Sequence, residues 1–176
     1  MLKQGLIQVY TGDGKGKTTC AFGQGLRALG RGLKVCAFQF MKDIKLGSGE
    51  VIAAGAFKEN FRIVRGAQTH PLLALSEQPE LKREIDSMAD EIEKTISAGK
   101  YDLVILDEIN NCVEAGLLSV SRVVAMMEMK PAHVELILTG RDAAFEVIER
   151  ADLVTNMSLV KHPYYAGVSA RKGIEF

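Results

Sequence analysis

The 176-residue sequence lacks the features that mark several specialised classes of protein. It has only three cysteines, and the spacing of Cys20, Cys36 and Cys112 argues against a disulfide framework or a zinc site. No apolar run approaches the roughly 18 residues of a membrane-spanning helix. Basic and acidic residues balance at 22 each, so no overall field would hold the chain on nucleic acid or on an anionic membrane. We therefore expect no nucleic-acid and no membrane partner.

Two further absences bear on location and chemistry. Residues 1–5 lead straight into an apolar strand pattern and contain no hydrophobic region of a signal peptide. The three histidines, His70, His133 and His162, have no second histidine or cysteine at metal-ligand spacing, and no Ser-His-Asp ordering is recognisable. We expect a cytoplasmic protein in which a bound ligand, rather than a side-chain nucleophile, is the reactive component.

What the chain does have is an alternation of strand and helix patterns along its length. This alternation predicts one α/β domain, residues 1–176, with a mostly parallel central sheet flanked by helices. Strands are predicted over residues 6–10, 34–40, 61–64, 101–106, 134–138 and 153–159. Helices are predicted over residues 17–29, 50–57, 76–98, 117–129 and 141–150, and the polar tail 161–176 is predicted to be irregular.

A glycine-rich stretch, T-G-D-G-K-G-K-T-T over residues 11–19, separates the first predicted strand from the first predicted helix. This order favours a phosphate-binding loop, because glycine lets backbone N–H groups turn towards an anion at a helix N-terminus. In the usual G-x-x-x-x-G-K-[ST] spacing the first glycine falls on Thr11, so the match is imperfect. The alternative is a glycine-rich turn without a ligand. The expected phosphate-binding residues are Gly12, Asp13, Gly14, Lys15, Gly16, Lys17, Thr18 and Thr19.

A second signal is the apolar strand L-V-I-L-D-E over residues 103–108, which ends in Asp107 and Glu108. Mg²⁺ prefers oxygen ligands, so an acid at this position would hold the ion beside the hydroxyl of Thr18 in the loop. The alternative is an acidic pair at the start of the next helix, where negative charge is favoured.

A third signal is L-T-G-R-D over residues 138–142, at the carboxyl end of a predicted strand, where ligands bind in open α/β sheets. Arg141 has the fork geometry to meet a phosphate, although a surface arginine at a helix start is nearly as well supported. Thr139 is interpreted as a turn residue. Lys42 and Lys45 lie in another loop at this edge and are interpreted mainly as solvated.

Together, these segments resemble the ATP:corrinoid adenosyltransferases of the P-loop type, also called cob(I)alamin adenosyltransferases. The matching pieces are residues 11–19, Q-F-M-K at 39–42, L-D-E at 106–108, L-T-G-R at 138–141, V-K-H-P at 160–163, A-G-V at 166–168 and G-I at 173–174. The glycine spacing that departs from the general pattern is the form this family uses. The resemblance implies a P-loop (RecA-like) fold.

The resemblance also implies a reaction and a set of site residues. Members transfer the 5′-deoxyadenosyl group of ATP to the Co(I) centre of a reduced corrinoid, such as cobalamin or cobinamide, and release triphosphate. Carried over by position, Thr18 and Glu108 would bind Mg²⁺ with Asp107 beside them. The catalytic cations, which would stabilise the leaving triphosphate, are Lys15, Lys17 and Arg141. A reduced flavoprotein as electron donor and a homodimer are implied as well.

Two other functions remain open from the sequence. One is a P-loop phosphotransferase or NTPase, although no N-K-x-D guanine motif is present and the arginines are isolated rather than clustered as in a kinase lid. Such an enzyme would release ADP or AMP instead of triphosphate. The other is a non-catalytic ATP-binding regulator, which predicts nucleotide binding without any product.

Overall fold

The computed structural model describes residues 2–41, 48–57, 59–66 and 78–175. The strands are β1 (Ile7–Thr11), β2 (Val35–Gln39), β3 (Phe61–Arg65), β4 (Leu103–Asp107), β5 (Glu135–Thr139) and β6 (Leu153–Asn156). The α-helices are α1 (Lys17–Leu29), α2 (Gly49–Ala54), α3 (Gln78–Ala98), α4 (Ile109–Glu114), α5 (Val120–Glu128) and α6 (Phe145–Arg150). Short 3₁₀ turns cover Gly55–Phe57 and Pro163–Ala166. Among the described helices none is long and apolar enough to cross a membrane.

The six strands form one sheet in the order β3-β2-β4-β5-β1-β6, and every neighbouring pair is parallel. Buried parallel strands read as continuous apolar runs, which is why the sequence pattern locates them. The predicted α/β fold with a parallel sheet is confirmed. Strand β5 lies between β1 and β4, so the glycine-rich loop and the acidic pair are separated by one strand at the same edge of the sheet.

Two apolar clusters cover the two faces of the sheet. Helix α1 packs over one face, and its buried Ala21 lies with Ile105 and Ile137 of the sheet. The apolar stripe of α3 covers the other face, as its spacing predicts. The members of this stripe are all buried: Leu81, Ile85, Met88, Ile92 and Ile96. This packing fixes the carboxyl ends of β1, β2, β4 and β5 relative to one another, which is what the site requires.

The boundaries differ from the predictions in several places, and helix α6 begins at Phe145 rather than at residue 141. Helix α4 has no counterpart among the predicted helices; it follows β4 within one residue of Asp107. Helix α5 begins at Val120 rather than at residue 117, because the Ser119 hydroxyl caps it by accepting from the N–H of Arg122 at 3.2 Å. Strand β6 ends at residue 156, three residues earlier than predicted, and the predicted start of α3 at Ser76 lies outside the described residues.

Candidate functional site

The loop over residues 12–16 connects β1 to α1 and is built from backbone conformations that only glycine adopts freely. Gly12 has a φ of 95° and Gly16 a φ of 126°, both in the region that side chains disfavour. Gly16 is also the residue that precedes α1. The loop therefore delivers the chain to the N-terminus of α1, where unpaired N–H groups and the helix dipole favour an anion.

The segment at the end of β6, residues 156–158, packs against this loop and explains its glycine spacing. The N–H of Gly14 donates to the carbonyl of Met157 at 2.7 Å, and the N–H of Met157 donates to the carbonyl of Thr11 at 2.8 Å. A Cβ on Gly12 would lie 2.1 Å from Asn156 Oδ1, and one on Gly14 would lie 2.6 Å from Met157 O. Both distances are prohibitive. Glycines 12 and 14 are thus required by the approach of this segment, and the Gly14 N–H is committed to it.

Lys17 is the first residue of α1 and is buried, with 8 % of its surface exposed. Its ammonium donates to the carbonyls of Gly12 at 2.5 Å and of Gly14 at 2.9 Å. These contacts hold the charge inside the loop. A lysine ammonium has three donors, so two of them are engaged by the loop itself.

Four other charged residues converge on Lys17. Burial is the main influence and lowers the pKa of its ammonium below the ordinary value. Glu108 opposes this by raising the Lys17 pKa, and Arg141 lowers it. Asp13 and Asp107 raise it as well. Lys17 therefore shares one electrostatic neighbourhood with Arg141 and with these three acids.

Lys15 lies on the outside of the same loop and contacts the C-terminal segment. Its ammonium donates to the carbonyl of Ile174 at 3.0 Å and lies 3.7 Å from Glu175 Oε1. Glu175 also pairs with Arg171, whose hydrogen bonds are the main reason that the pKa of this carboxyl falls to about 2. Lys15 is thus held by a surface ion-pair group.

Arg141 lies at the surface beside the loop. Its Nε is 3.8 Å from Asp13 Oδ1, and its backbone N–H donates to Asn111 Oδ1 at 2.7 Å. The amide contact fixes the backbone at the end of β5, while the guanidinium stays exposed. Arg141 therefore lies beside the loop and forms a long ion pair with Asp13 across its rim.

Asp107 is the centre of the second half of the site. It ends β4, is fully buried, and accepts hydrogen bonds from three side chains. Oδ1 accepts from Thr18 Oγ1 at 2.9 Å and from Thr139 Oγ1 at 2.8 Å, while Oδ2 accepts from Gln39 Nε2 at 3.2 Å. The structure brings Thr18 and Asp107 together as predicted, through a direct hydrogen bond.

Glu108 is held in an uncommon backbone conformation next to Asp107. Its φ is 67°, in the left-handed region that non-glycine residues seldom adopt. Its N–H donates to Thr139 Oγ1 at 2.9 Å, which anchors this turn to β5. The negative charge of Glu108 raises the pKa of the Lys17 ammonium in the loop. Strain of this kind is common where a side chain has to point into a site.

The residues present fit a magnesium ion that is shared with a phosphate ligand. Thr18 supplies a hydroxyl and Glu108 a carboxylate, the hard oxygen ligands that Mg²⁺ prefers. Within the described ranges, no group of three or more histidine, cysteine, aspartate or glutamate side chains could hold a metal alone. In the usual Mg²⁺ site of proteins, one or two carboxylates are completed by substrate phosphates and water.

Several residues that build the site are missed or misread from the sequence. The pattern suggests a turn for Thr139, yet it is the buried last residue of β5 and bonds Asp107. In the sequence, Gln39 is noted only as part of the Q-F-M-K segment. A polar residue at the end of an apolar strand is a signal that could have identified it as a site residue. Met157 bonds the loop through its backbone N–H and carbonyl, and contacts of this kind leave no pattern in the sequence. Lys42 and Lys45 lie outside the described residues.

A comparison with protein families decides the wider identity. A family model described as ATP:corrinoid adenosyltransferase BtuR/CobO/CobP matches residues 3–176. The chain belongs to this family. A corrinoid adenosyltransferase of Pseudomonas aeruginosa is 37 % identical over 99 % of the chain and 85 % of its own length. One from Escherichia coli K12 is 33 % identical over 99 % of the chain and 87 % of its own length. The predicted family and enzyme class are confirmed.

Solved structures that resemble this adenosyltransferase-family chain are distant in sequence and speak to the fold alone. The flagellar accessory protein FlaH of Methanocaldococcus jannaschii superposes with a TM-score of 0.63 at 11 % identity, over 88 % of this chain and 72 % of its own. A KaiC-like protein from Pyrococcus horikoshii OT3 superposes with a TM-score of 0.57 at 18 % identity, over 92 % of this chain and 76 % of its own. Both likenesses agree with the predicted α/β fold.

Proposed function

We propose that this protein transfers the 5′-deoxyadenosyl group of ATP to the Co(I) centre of a reduced corrinoid, cobalamin or cobinamide, and releases triphosphate. The observation that supports it best is the convergence of Lys17 with Thr18, Asp107 and Glu108 at the edge between β1 and β4. In a member of the adenosyltransferase family, this is a site suited to a metal-bound polyphosphate.

The proposed reaction is a displacement at carbon. The electron pair of Co(I) forms a bond to C5′ of the ribose, the C5′–O bond breaks, and the triphosphate leaves with the electron pair of that broken bond. Co(I) is already a strong nucleophile, so the protein has no proton to remove. Its tasks are to hold C5′ near the cobalt and to stabilise the negative charge that develops on the triphosphate.

In this proposal the loop from Gly12 to Thr19 binds the triphosphate. Lys17 has two donors on loop carbonyls, which orients its ammonium and leaves a third donor for a phosphate oxygen. Because the ammonium is already oriented and largely dehydrated, little reorganisation is needed when charge develops on the leaving group. We propose Lys17 as the principal catalytic cation.

Lys15 and Arg141 are proposed as secondary catalytic cations. Each is exposed and paired with an acid, Lys15 with Glu175 and Arg141 with Asp13. A triphosphate offers a denser negative charge than either carboxylate, so these cations would exchange partners when it binds. Exposed ion pairs of this kind are weak, so the exchange of partners costs little free energy.

Thr18 and Glu108 are proposed to bind Mg²⁺, and Asp107 to act beside them. Both oxygens of Asp107 already accept hydrogen bonds, so its role is to hold the Thr18 hydroxyl rather than to bind the ion directly. When bound, Mg²⁺ would neutralise charge on the phosphate oxygens and orient them against the loop.

Other parts of the proposal rest on the sequence and on the family resemblance. These are the homodimer, the reduced flavoprotein that supplies electrons, the cytoplasmic location and the single domain over residues 1–176. Sedimentation would test the dimer, and Co(I) formation with a reduced flavoprotein in place of a chemical reductant would test the donor.

The test is anaerobic incubation with ATP, Mg²⁺ and chemically reduced cobalamin or cobinamide, followed by absorbance. We expect a light-sensitive adenosylcorrinoid. Failure to form it with either acceptor would overturn the proposal. Release of ADP or AMP would favour a phosphotransferase or NTPase, and ATP binding without any product would favour a regulator.

A further inference from the structure

Gln39 is a buried polar residue at the carboxyl end of β2, with no exposed surface. In the sheet register it lies directly across from Asp107 of β4. A buried amide costs stability unless its donors and acceptor find partners, so its presence among apolar neighbours calls for a physical reason.

Its contacts supply that reason. Gln39 Nε2 donates to Asp107 Oδ2 at 3.2 Å and to Glu50 Oε1 of α2 at 3.0 Å. Both partners are carboxylates, which only accept when ionised, so the NH₂ end of the amide must be the end that faces them. Gln39 Oε1 is buried and has no hydrogen-bond partner among the described residues. The Nε2 group thus makes two specific hydrogen bonds, while Oε1 makes none with the described residues.

We propose that Gln39 is a positioning residue for the metal-binding half of the site. This inference rests on the proposed function, since it assigns Gln39 a role in magnesium–ATP binding. By holding Asp107 Oδ2, Gln39 fixes the rotation of the carboxylate. Asp107 Oδ1 is then aligned to accept the proton of the Thr18 hydroxyl. A hydroxyl whose proton is so engaged presents its lone pairs to a cation.

The amide also separates two acids. Asp107 and Glu50 both contact Gln39 Nε2, so a neutral donor stands between two negative side chains. A carboxylate at position 39 would instead create a cluster of three acids, and their mutual repulsion would raise the pKa of at least one of them. A leucine would remove the hydrogen bond from Gln39 to Asp107 Oδ2.

The test compares Gln39→Leu with the unaltered chain in titration calorimetry, with ATP as the probe and no corrinoid present. ATP affinity is measured with Mn²⁺ and again with chelator. Residues that orient metal ligands typically change metal affinity by about 10–100-fold, so we expect the Mn²⁺-dependent ATP affinity to fall about tenfold. Affinity in chelator should not change. Equal losses in both conditions would overturn the proposal, because they indicate a general structural role.

Gln39→Glu provides an independent readout. At low pH the new carboxyl group is protonated and carries an O–H that can donate to Asp107, as the amide does, whereas at high pH it is ionised and repels Asp107. We expect the Mn²⁺–ATP affinity of this variant, divided by that of the unaltered chain at the same pH, to rise as the pH falls from about 8 to about 6. A ratio that does not change with pH would overturn the proposal, even if Gln39→Leu fails to fold.

The matched control is Gln8→Leu. Gln8 lies on β1 and its amide also donates to a carboxylate, Glu135, but on a part of the strand that precedes the loop. This change should leave the Mn²⁺ dependence of ATP binding unaltered. If ATP does not bind the unaltered chain at all, the proposed function fails. If it binds and only the Gln39 effects are missing, the function stands and the role of Gln39 does not.

Discussion

The two lysines of the glycine-rich loop differ in almost every physical respect although they are two residues apart. Lys17 is buried and bonds the loop's own carbonyls, and burial lowers the pKa of its ammonium. Lys15 has a side chain that is 49 % exposed and bonds the distant C-terminal segment. The charge of Lys17 is fixed by the fold, whereas that of Lys15 is held by a surface ion pair. The two lysines should therefore contribute unequally to catalysis.

The difference follows from screening and reorganisation. A desolvated, oriented ammonium interacts strongly with a nearby anion, while an exposed one is screened by water and salt. Lys15 must also leave Ile174 and Glu175 before it can reach a phosphate. Substitutions at the two lysines and at their neighbours test this ranking.

Lys17→Ala should lower kcat/KM by about 10²–10³, since it removes a preorganised charge partner of the leaving triphosphate. Steady-state rates with reduced cobalamin measure this. Lys17→Arg is the matched variant; it keeps the charge but should not fit between the two loop carbonyls, so it should recover little activity. If Lys17→Ala keeps activity within a few-fold of normal, Lys17 has no role in the mechanism and the ranking of Lys17 above Lys15 is wrong.

Gly14→Ala should disturb the buried lysine through the backbone. Its Cβ would lie 2.6 Å from Met157 O and 2.7 Å from Ser158 O, both backbone atoms. Overpacking of this kind costs about 1–3 kcal/mol, which corresponds to a fall in Tm of about 2–12 °C, and activity should fall with it. Thermal unfolding and steady-state rates are the measurements.

The control for that change is Gly23→Ala, where a Cβ on the exposed side of α1 meets nothing within 4 Å. It should raise stability by about 0.5–1 kcal/mol, because alanine is the better helix former, and leave activity unchanged. If both alanine variants behave alike, the segment at the end of β6 does not constrain the loop.

Lys15→Ala should have a smaller effect than Lys17→Ala, about tenfold in kcat/KM, which corresponds to about 1.4 kcal/mol. Because Lys15 is exposed, the effect should weaken as salt increases. Rates measured between low and high ionic strength check both points, with Lys15→Arg expected to retain most activity. A loss as large as that of Lys17→Ala would contradict the ranking of the two lysines.

Glu175→Gln should have the smallest effect and the opposite sign. It removes an anion that competes for Lys15, so the KM for ATP should fall by about twofold. Arg171 holds the pKa of Glu175 at about 2, below its ordinary value, so the Glu175 contacts are fully formed above the ordinary value of 4.5 and are lost only as the pH falls towards 2. The ratio of KM values should therefore be constant from about pH 6 to about pH 9. A higher KM would mean that Glu175 assists Lys15.

Much of the framework can be predicted because its signals are local. Buried parallel strands are apolar runs, and the stripe of α3 repeats at helical spacing, so neither needs a long-range contact to be recognised. Helix α4 escapes prediction because its six residues follow β4 after the single turn residue Glu108, in a stretch that already carries the acidic motif.

The distinction between the two lysines cannot be predicted, because it depends on contacts far apart in the sequence. Lys15 meets Ile174, 159 positions later, and Gly14 meets Met157. Gln39 can be recognised as polar, but its partner Asp107 is 68 positions away and is identified only by the strand order. The glycine spacing of the loop is the local sequence feature that reflects its contact with the segment at the end of β6.

The central claim is that the loop holds a triphosphate that leaves whole, with reaction at the ribose. The most direct measurement follows ATP radiolabelled at either the α or the γ phosphorus, incubated anaerobically with Mg²⁺ and reduced cobalamin. We predict that both labels are recovered in triphosphate, one molecule for each adenosylcobalamin formed. Recovery of the γ label in inorganic phosphate, with the α label still attached to adenosine, would contradict the account.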